Sequence, residues 1–256
     1  MKTNKINSLM GITMVLLTAS VLNASVISET YTLNKSTDDG MAVAGLSAQA
    51  VFVWDDATPN LLKISLRNTS TSVPGWFGSA DQILTSLSFD LGGVAITGGT
   101  ATIASGSQSV SFDGIPVQLT GGAVVSGEWG LGNSGSGSSP LLTNVISAMR
   151  AHTETRFSNV NLDGPTNLDG PEGGIVTSPA LVSLGGLGAV ADCINFDLTL
   201  SGDLTGLGFL NDGQGLVAEF GSDAAFVTVP EPATMSLLAA CSLAVVIRRR
   251  RIGGAE

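Results

Sequence analysis

The stretch LKISLRN, Leu62 to Asn68, sets Leu62, Ile64 and Leu66 against Lys63, Ser65 and Arg67 in strict alternation. In an extended chain successive side chains leave opposite faces. This pattern therefore predicts a strand with one face toward a core and the other toward water. Outward from it the same period recurs. LSFDL places Leu87, Phe89 and Leu91 inward, and INFDLTL places Ile194, Phe196, Leu198 and Leu200 inward. Weaker matches are AQAVFVW (48–54), TATIA (100–104), SVSF (109–112), GAVVSGEW (122–129), LVAEF (216–220) and AFVTV (225–229). The turn signals TPN, VPG, LGG, TGG, FDG and NDG stand between the runs. Many short two-faced strands at this spacing predict an all-β fold, an antiparallel, jelly-roll-like β-sandwich rather than a parallel α/β sheet.

One short helix is expected in SSPLLTNVISAMR. There Ser139 caps, Pro140 suits the first turn, and Leu142, Val145, Ile146 and Met149 share a helical face. That helix would cover an end or edge of the sandwich. GLGNSGSGSSP (130–140) reads as a long loop, since the sequence on either side is too short for two separate cores.

Both ends differ from this pattern. Lys2 and Lys5 precede the apolar run Leu9 to Leu22, and LNA closes it on a small residue, so residues 1–24 read as a signal peptide cleaved after Ala24. Fourteen apolar residues are short for a membrane span, and polar, turn-rich sequence follows at once. The all-β domain is then 25–228, an unusual segment occupies 229–251, and 252–256 is a short tail.

Within residues 25–228 there are 19 acidic side chains against five basic ones. Such a surface repels a phosphate backbone, which argues against nucleic acid as a partner and suits a soluble Gly- and Ser-rich exterior. Cys193 is the domain's lone cysteine and has no intramolecular partner there, so a half-buried strand thiol is expected rather than a disulfide or a nucleophile.

Candidate chemistry is sparse. NLDGPTNLDGPEGG (161–174) invites a calcium loop, but in the EF-hand register Pro165 takes the first ligand position and Val176 that of the bidentate Glu. Asp163, Asp169 and Glu172 remain a weak calcium candidate, with paired Asp-Gly-Pro turns as the plainer reading. TDDG (37–40) and WDD (54–56) bring carboxylates together at turns, whereas glycoside hydrolysis needs two converging in a cleft. Trp54, Trp76 and Trp129 each neighbour a strand or turn, where core or edge packing is commoner than a sugar platform. His152 is the sole histidine, and no G-x-S-x-G elbow accompanies it. The sequence thus points to no catalytic residue, no metal centre and no cofactor.

The segment VPEPATMSLLAACSLAVVIRRRR (229–251) is more specific. Pro230 and Pro232 hold Glu231 in an extended, accessible stretch. Ala233 to Ile247 carry no charge over fifteen residues, about 22 Å as a helix and short of the ~30 Å hydrocarbon core. Arg248, Arg249, Arg250 and Arg251 make a basic cluster suited to a cytoplasmic stop-transfer. LAAC (238–241) imitates a lipobox, but processing there would leave only a sixteen-residue lipidated remnant.

A Pro-Glu-Pro motif, an apolar segment and a basic cluster in this order resemble the PEP-CTERM sorting signal of Gram-negative bacteria. The stretches 46–70, 170–178 and 216–223 are similar to exosortase-dependent surface proteins of unassigned biochemical function. The resemblance implies that an exosortase is the processing partner. It further implies that Pro230, Glu231 and Pro232 are a substrate site, that the inner membrane holds the chain transiently, and that the cell surface or extracellular matrix is the destination. A non-enzymatic structural role is the leading expectation. The alternative is a carbohydrate- or polymer-binding surface module with extracellular polysaccharide as partner, and a secreted hydrolase comes third.

Overall fold

The computed structural model describes residues 25–36, 45–111, 116–133, 141–149, 162, 173–184, 188–213 and 215–230. These residues build fifteen strands in two sheets. The smaller sheet has the order β1 (Val26–Leu33), β3 (Ala48–Asp55), β4 (Leu61–Asn68), β13 (Cys193–Leu200) and β6 (Ile96–Ile103). The spine of the larger sheet begins β2 (Lys35–Ser36), β15 (Ala225–Thr228), β14 (Leu216–Phe220) and β5 (Leu84–Phe89). It continues with β11 (Ile175–Val176), β12 (Gly188–Ala191), β7 (Gln108–Ser111) and β8 (Pro116–Thr120). Beside β5 also runs β10 (Asn144–Ser147), which pairs with β9 (Gly130–Gly132). Pairing is antiparallel except between β11 and β12, which run parallel, so the larger sheet is mixed.

The two best-patterned stretches of sequence are direct neighbours. Leu62 lies opposite Leu198, Ile64 opposite Phe196 and Leu66 opposite Ile194. All six side chains are buried in one apolar cluster, and these cross-strand pairs are the units that stabilise a sheet. On the other face Lys63 pairs with Asp197 at 3.0 Å, and the Ser65 hydroxyl donates to Asn195 at 2.6 Å. Phe52 of β3 meets Phe89 of β5 edge-on, with ring centroids 5.8 Å apart. The same cluster takes in Leu84, Leu87, Leu216, Ala218 and Phe220, so residues of both sheets share one core.

β5 departs from simple alternation. Glu219 pairs with Ser86 and Phe220 with Leu84, which leaves Thr85 as an extra residue. The bulge reverses the side-chain parity, and so Leu84, Leu87 and Phe89 all enter the core. The intervening polar residues are not wet as alternation suggests, because Thr85, Ser86 and Ser88 are fully buried. Each is hydrogen-bonded: Thr85 to the Gly221 carbonyl (2.7 Å), Ser86 to Glu219 (2.7 Å) and Ser88 to the Val217 carbonyl (3.2 Å).

Three expectations are corrected. The helix expected over 139–150 is strand β10 where it is described, and the helical segments among the described residues are 3-10 turns, Ser126–Glu128 and Gly208–Gly213. Pairing on both sides of β10 sends Ile146 into the main core, while Val145 joins Leu141, Val217 and Phe226 in a separate cluster. A helix would have put Val145 and Ile146 on one face. GAVVSGEW forms an isolated bridge at Val124 and a 3-10 turn instead of a strand, and Gly130–Gly132 in the expected loop is strand β9. The Ser126 hydroxyl accepts from the Ala101 N–H at 2.8 Å, diverting this segment from a regular ladder.

Candidate functional site

Strand β15 immediately precedes the segment Val229–Arg251. Its Ala225, Phe226 and Val227 are buried, and it lies between β14 and the two-residue β2. The Thr228 hydroxyl donates to the Leu216 carbonyl at 2.8 Å, and the Asn34 N–H donates to the Thr228 carbonyl at 3.0 Å. Val229 is half-buried against the core, whereas Pro230 is exposed. Proline has no N–H to donate, so the ladder stops here by chemistry as well as by position. Gly213, at φ +85°, makes room for this exit. A Cβ there would lie 2.7 Å from the Tyr31 ring and 2.8 Å from the Val229 side chain.

Glu219 fastens the β14–β15 hairpin. Its carboxylate is fully buried, accepts the Ser86 hydroxyl at 2.7 Å and accepts the Asp223 N–H of the turn at 3.1 Å. Ser86 also contacts the Ser147 hydroxyl at 2.6 Å, and Ser147 accepts the Met149 N–H at 3.0 Å. This network ties β14, β5 and β10 together beneath the strand that carries the motif. A glutamate in an alternating run reads as solvent-facing, so the sequence offers no sign of this role.

Pro230, the first proline of the motif, is thus exposed two residues beyond the last paired residue of β15. Of the sorting residues, Pro230 is the one described. Glu231, Pro232, Arg248 to Arg251 and the cleavage position Ala24 lie outside the described residues, as do Asp163, Asp169, Glu172, His152 and the TDDG turn. No group of three metal-ligating side chains occurs among the described residues. No helix among them is long and apolar enough to cross a membrane.

Several of the described carboxylates accept backbone N–H groups at turns and strand ends or form ion pairs. Asp55 accepts the Ala57 N–H, Asp56 the Ser25 N–H, Asp81 the Gly78 N–H and Asp90 the Gly92 N–H, all within 2.9 Å. Arg67 pairs with Asp192. Trp129 is fully buried edge-on to Phe196 and donates to the Gly173 carbonyl at 3.1 Å, while Trp54 donates to the Pro59 carbonyl at 3.3 Å. Trp76 is 57% exposed on the loop between β4 and β5, stacked edge-on against Phe77. A groove of about 350 Å³ crosses the outer face of the smaller sheet along Val51, Val53, Lys63, Ser65, Asn195 and Asp197. Phe196 borders it but is fully buried, and Trp76 is not among its lining residues.

Cys193 opens β13 and is buried. Burial pushes its thiol above the ordinary value, and the Arg67 guanidinium pulls only partly in the other direction. The thiolate is the reactive form, so the native protein is expected to react with a thiol reagent at pH 8 on the order of tenfold or more slowly than the urea-unfolded chain. Equal rates at Cys193, read by peptide mapping, would contradict that burial.

The family model for the PEP-CTERM protein-sorting motif matches residues 228–251. The match begins at Thr228, the last residue of β15. It implies exosortase-dependent sorting of an exported protein. A search of curated proteins finds no match, and a search of solved structures finds none.

Proposed function

We propose, from the premise that this chain carries a PEP-CTERM sorting motif, that it is a non-enzymatic structural protein of the cell surface or extracellular matrix. On this reading residues 1–24 direct export and the apolar tail holds the chain in the inner membrane. An exosortase then acts at Pro230–Glu231–Pro232. The observation that carries the proposal is the join: the ladder ends at Thr228, Pro230 is exposed, and the motif match starts at that same strand end. The two sheets are read as a jelly-roll-like β-sandwich, which the Phe52–Phe89 contact and the shared core support. A closely packed β domain would persist in an extracellular layer after the tail is removed.

The test is the C-terminal mass of surface-extracted protein. Mature protein is expected to lack Ala233 to Arg251. Glu231→Ala, or deletion of Arg248 to Arg251, is expected to leave most of the chain uncut in the inner membrane. A mature surface form that retains the apolar segment would replace processing with a plain tail anchor.

A polysaccharide-binding role is the second reading, and the exposed ring of Trp76 is what favours it. The groove on the smaller sheet adds little to it, since no aromatic face opens onto that surface. Silence of the protein on a glycan array would leave the structural role alone.

A further inference from the structure

The two edges of the smaller sheet, β1 and β6, are finished differently. The chain that follows β6 covers its outer backbone groups. Val125 N–H donates to the Ala101 carbonyl (2.8 Å), Gly122 N–H to the Ile103 carbonyl (2.8 Å), and Ile103 N–H to the Ala123 carbonyl (2.9 Å). Gly99 N–H donates to the Leu162 carbonyl at 3.2 Å, and Ile96 N–H to Asn133 Oδ1 at 2.7 Å. Beyond β1 there is no further strand among the described residues. β1 is eight residues long, keeps one register with β3 from Val26↔Asp55 to Leu33↔Ala48, and contains no Pro, Gly or Lys. Natural sheet edges are ordinarily short, bulged, basic or covered, because an open one is a template for another strand.

The hydrogen-bond phase of β1 follows from its ladder. Residue pairs in an antiparallel ladder alternate between bonded and non-bonded. Asp56 N–H donates to the Ser25 carbonyl at 3.2 Å, so the odd residues Ile27, Glu29, Tyr31 and Leu33 spend their backbone groups on β3. The other side of β3 agrees. Thr69 N–H on the Ser47 carbonyl, at 2.9 Å, commits the odd residues of β3 to β4 and leaves its even residues for β1. Ser28, Thr30 and Thr32 therefore aim N–H and C=O off the edge, and their side chains are exposed.

We propose that β1 pairs with β1 of a second copy of this chain, antiparallel and centred on Thr30. In that register Thr30 faces Thr30 of the second copy and Ser28 faces Thr32. All three resulting pairs fall on outward-aimed backbone groups. Glu29, the one charge on the strand, then lies opposite Tyr31, whose hydroxyl already donates to Glu29 within each copy. A centre at Glu29 would oppose two carboxylates. A centre at Tyr31 would bring Asn34, whose N–H is already given to Thr228, opposite Ser28 within the ladder, whereas a centre at Thr30 meets it only at the outermost pair, opposite Val26. A register shifted by half a step would turn core-facing residues of one copy toward the solvent face of the other. The chain carries a formal net charge of −10, so a neutral strand face is where two copies meet with least repulsion. Because the β6 edge is covered and the β1 edge complements itself, association closes at two and makes a ten-stranded sheet across the pair.

The experiment is sedimentation equilibrium of the full-length chain in mild detergent, with the micelle mass matched by solvent density. The wild type is expected to be a dimer. Thr30→Pro removes an outward N–H that β3 does not use, and it is expected to give a monomer with an unchanged circular dichroism spectrum. Thr30→Lys and Thr30→Asp each oppose like charges at the two-fold axis, and each is expected to raise the dissociation constant about fivefold. An equimolar mixture of the two is expected to restore dimers, now of mixed composition. A monomeric wild type would overturn the proposal. So would a dimer indifferent to all three substitutions, as association through the tails would be. Failure of the mixture to recover would overturn the Thr30-centred register. Should Thr30→Pro not fold, the charge pair decides the question.

Discussion

Replacing Phe52 by alanine is expected to lower the unfolding free energy by about 3–5 kcal/mol, the usual range for removing a fully buried phenylalanine. Phe52 has no exposed surface, and its ring touches three others: Tyr31 (6.3 Å), Phe89 (5.8 Å) and Phe209 (6.3 Å). These come from β1, from β5 of the larger sheet and from a 3-10 turn, so no single element can relax into the space left behind. Phe52→Leu keeps most of the volume and is expected to cost less than half as much. Urea denaturation followed by tryptophan fluorescence reads the change directly, since Trp54 and Trp129 are buried. A loss under about 1 kcal/mol for the alanine variant would mean that the two sheets do not meet through this ring.

Asn68→Ala is expected to cost about 2–4 kcal/mol, by removing buried hydrogen bonds rather than apolar area. Asn68 ends β4 and is 3% exposed. Its amide donates to the carbonyls of Gln82 (3.1 Å) and Ile175 (2.9 Å), and its side-chain oxygen accepts the Ser70 N–H (3.1 Å). Ile175 belongs to β11, so one side chain of the smaller sheet fastens a strand of the larger one. Asn68→Asp is expected to be worse than alanine. A carboxylate cannot donate, and it would be held against two carbonyl oxygens in a buried site. If aspartate proved as stable as asparagine in the same denaturation series, the amide would not be the clamp described.

How far the sequence could be read depends on the kind of strand. LKISLRN and INFDLTL were legible because each has one buried and one wet face, the condition under which alternation survives. VISETYTL (Val26–Leu33) alternates as well, but Glu29 stands among the inward-facing residues and breaks the apolar series. Within the strand the Tyr31 hydroxyl, two residues on and on the same face, donates to Glu29. β10 and β11 are too short and too fully buried to show a period, and NVIS fits helix and strand templates equally until its partners on both sides are known. The parallel pairing of β11 with β12 has no local signature, because β11 is only two residues long and its direction relative to β12 is set by the path of residues 177–187 between them.

By itself the sequence determined the all-β class, the strongest strands and the sorting motif. Each of these is written in consecutive residues and needs no partner to be recognised. The tertiary structure alone decided that Glu219 and the serines of β5 are buried, that Cys193 is enclosed, that the pairing of β15 ends at Thr228 with Pro230 exposed, and that among the described residues β1 has no strand beyond it while β6 is covered. The physical reason is the same throughout. Periodicity reports which face of a segment is apolar, whereas burial of a polar group or exposure of a backbone edge depends on what other segments bring against it.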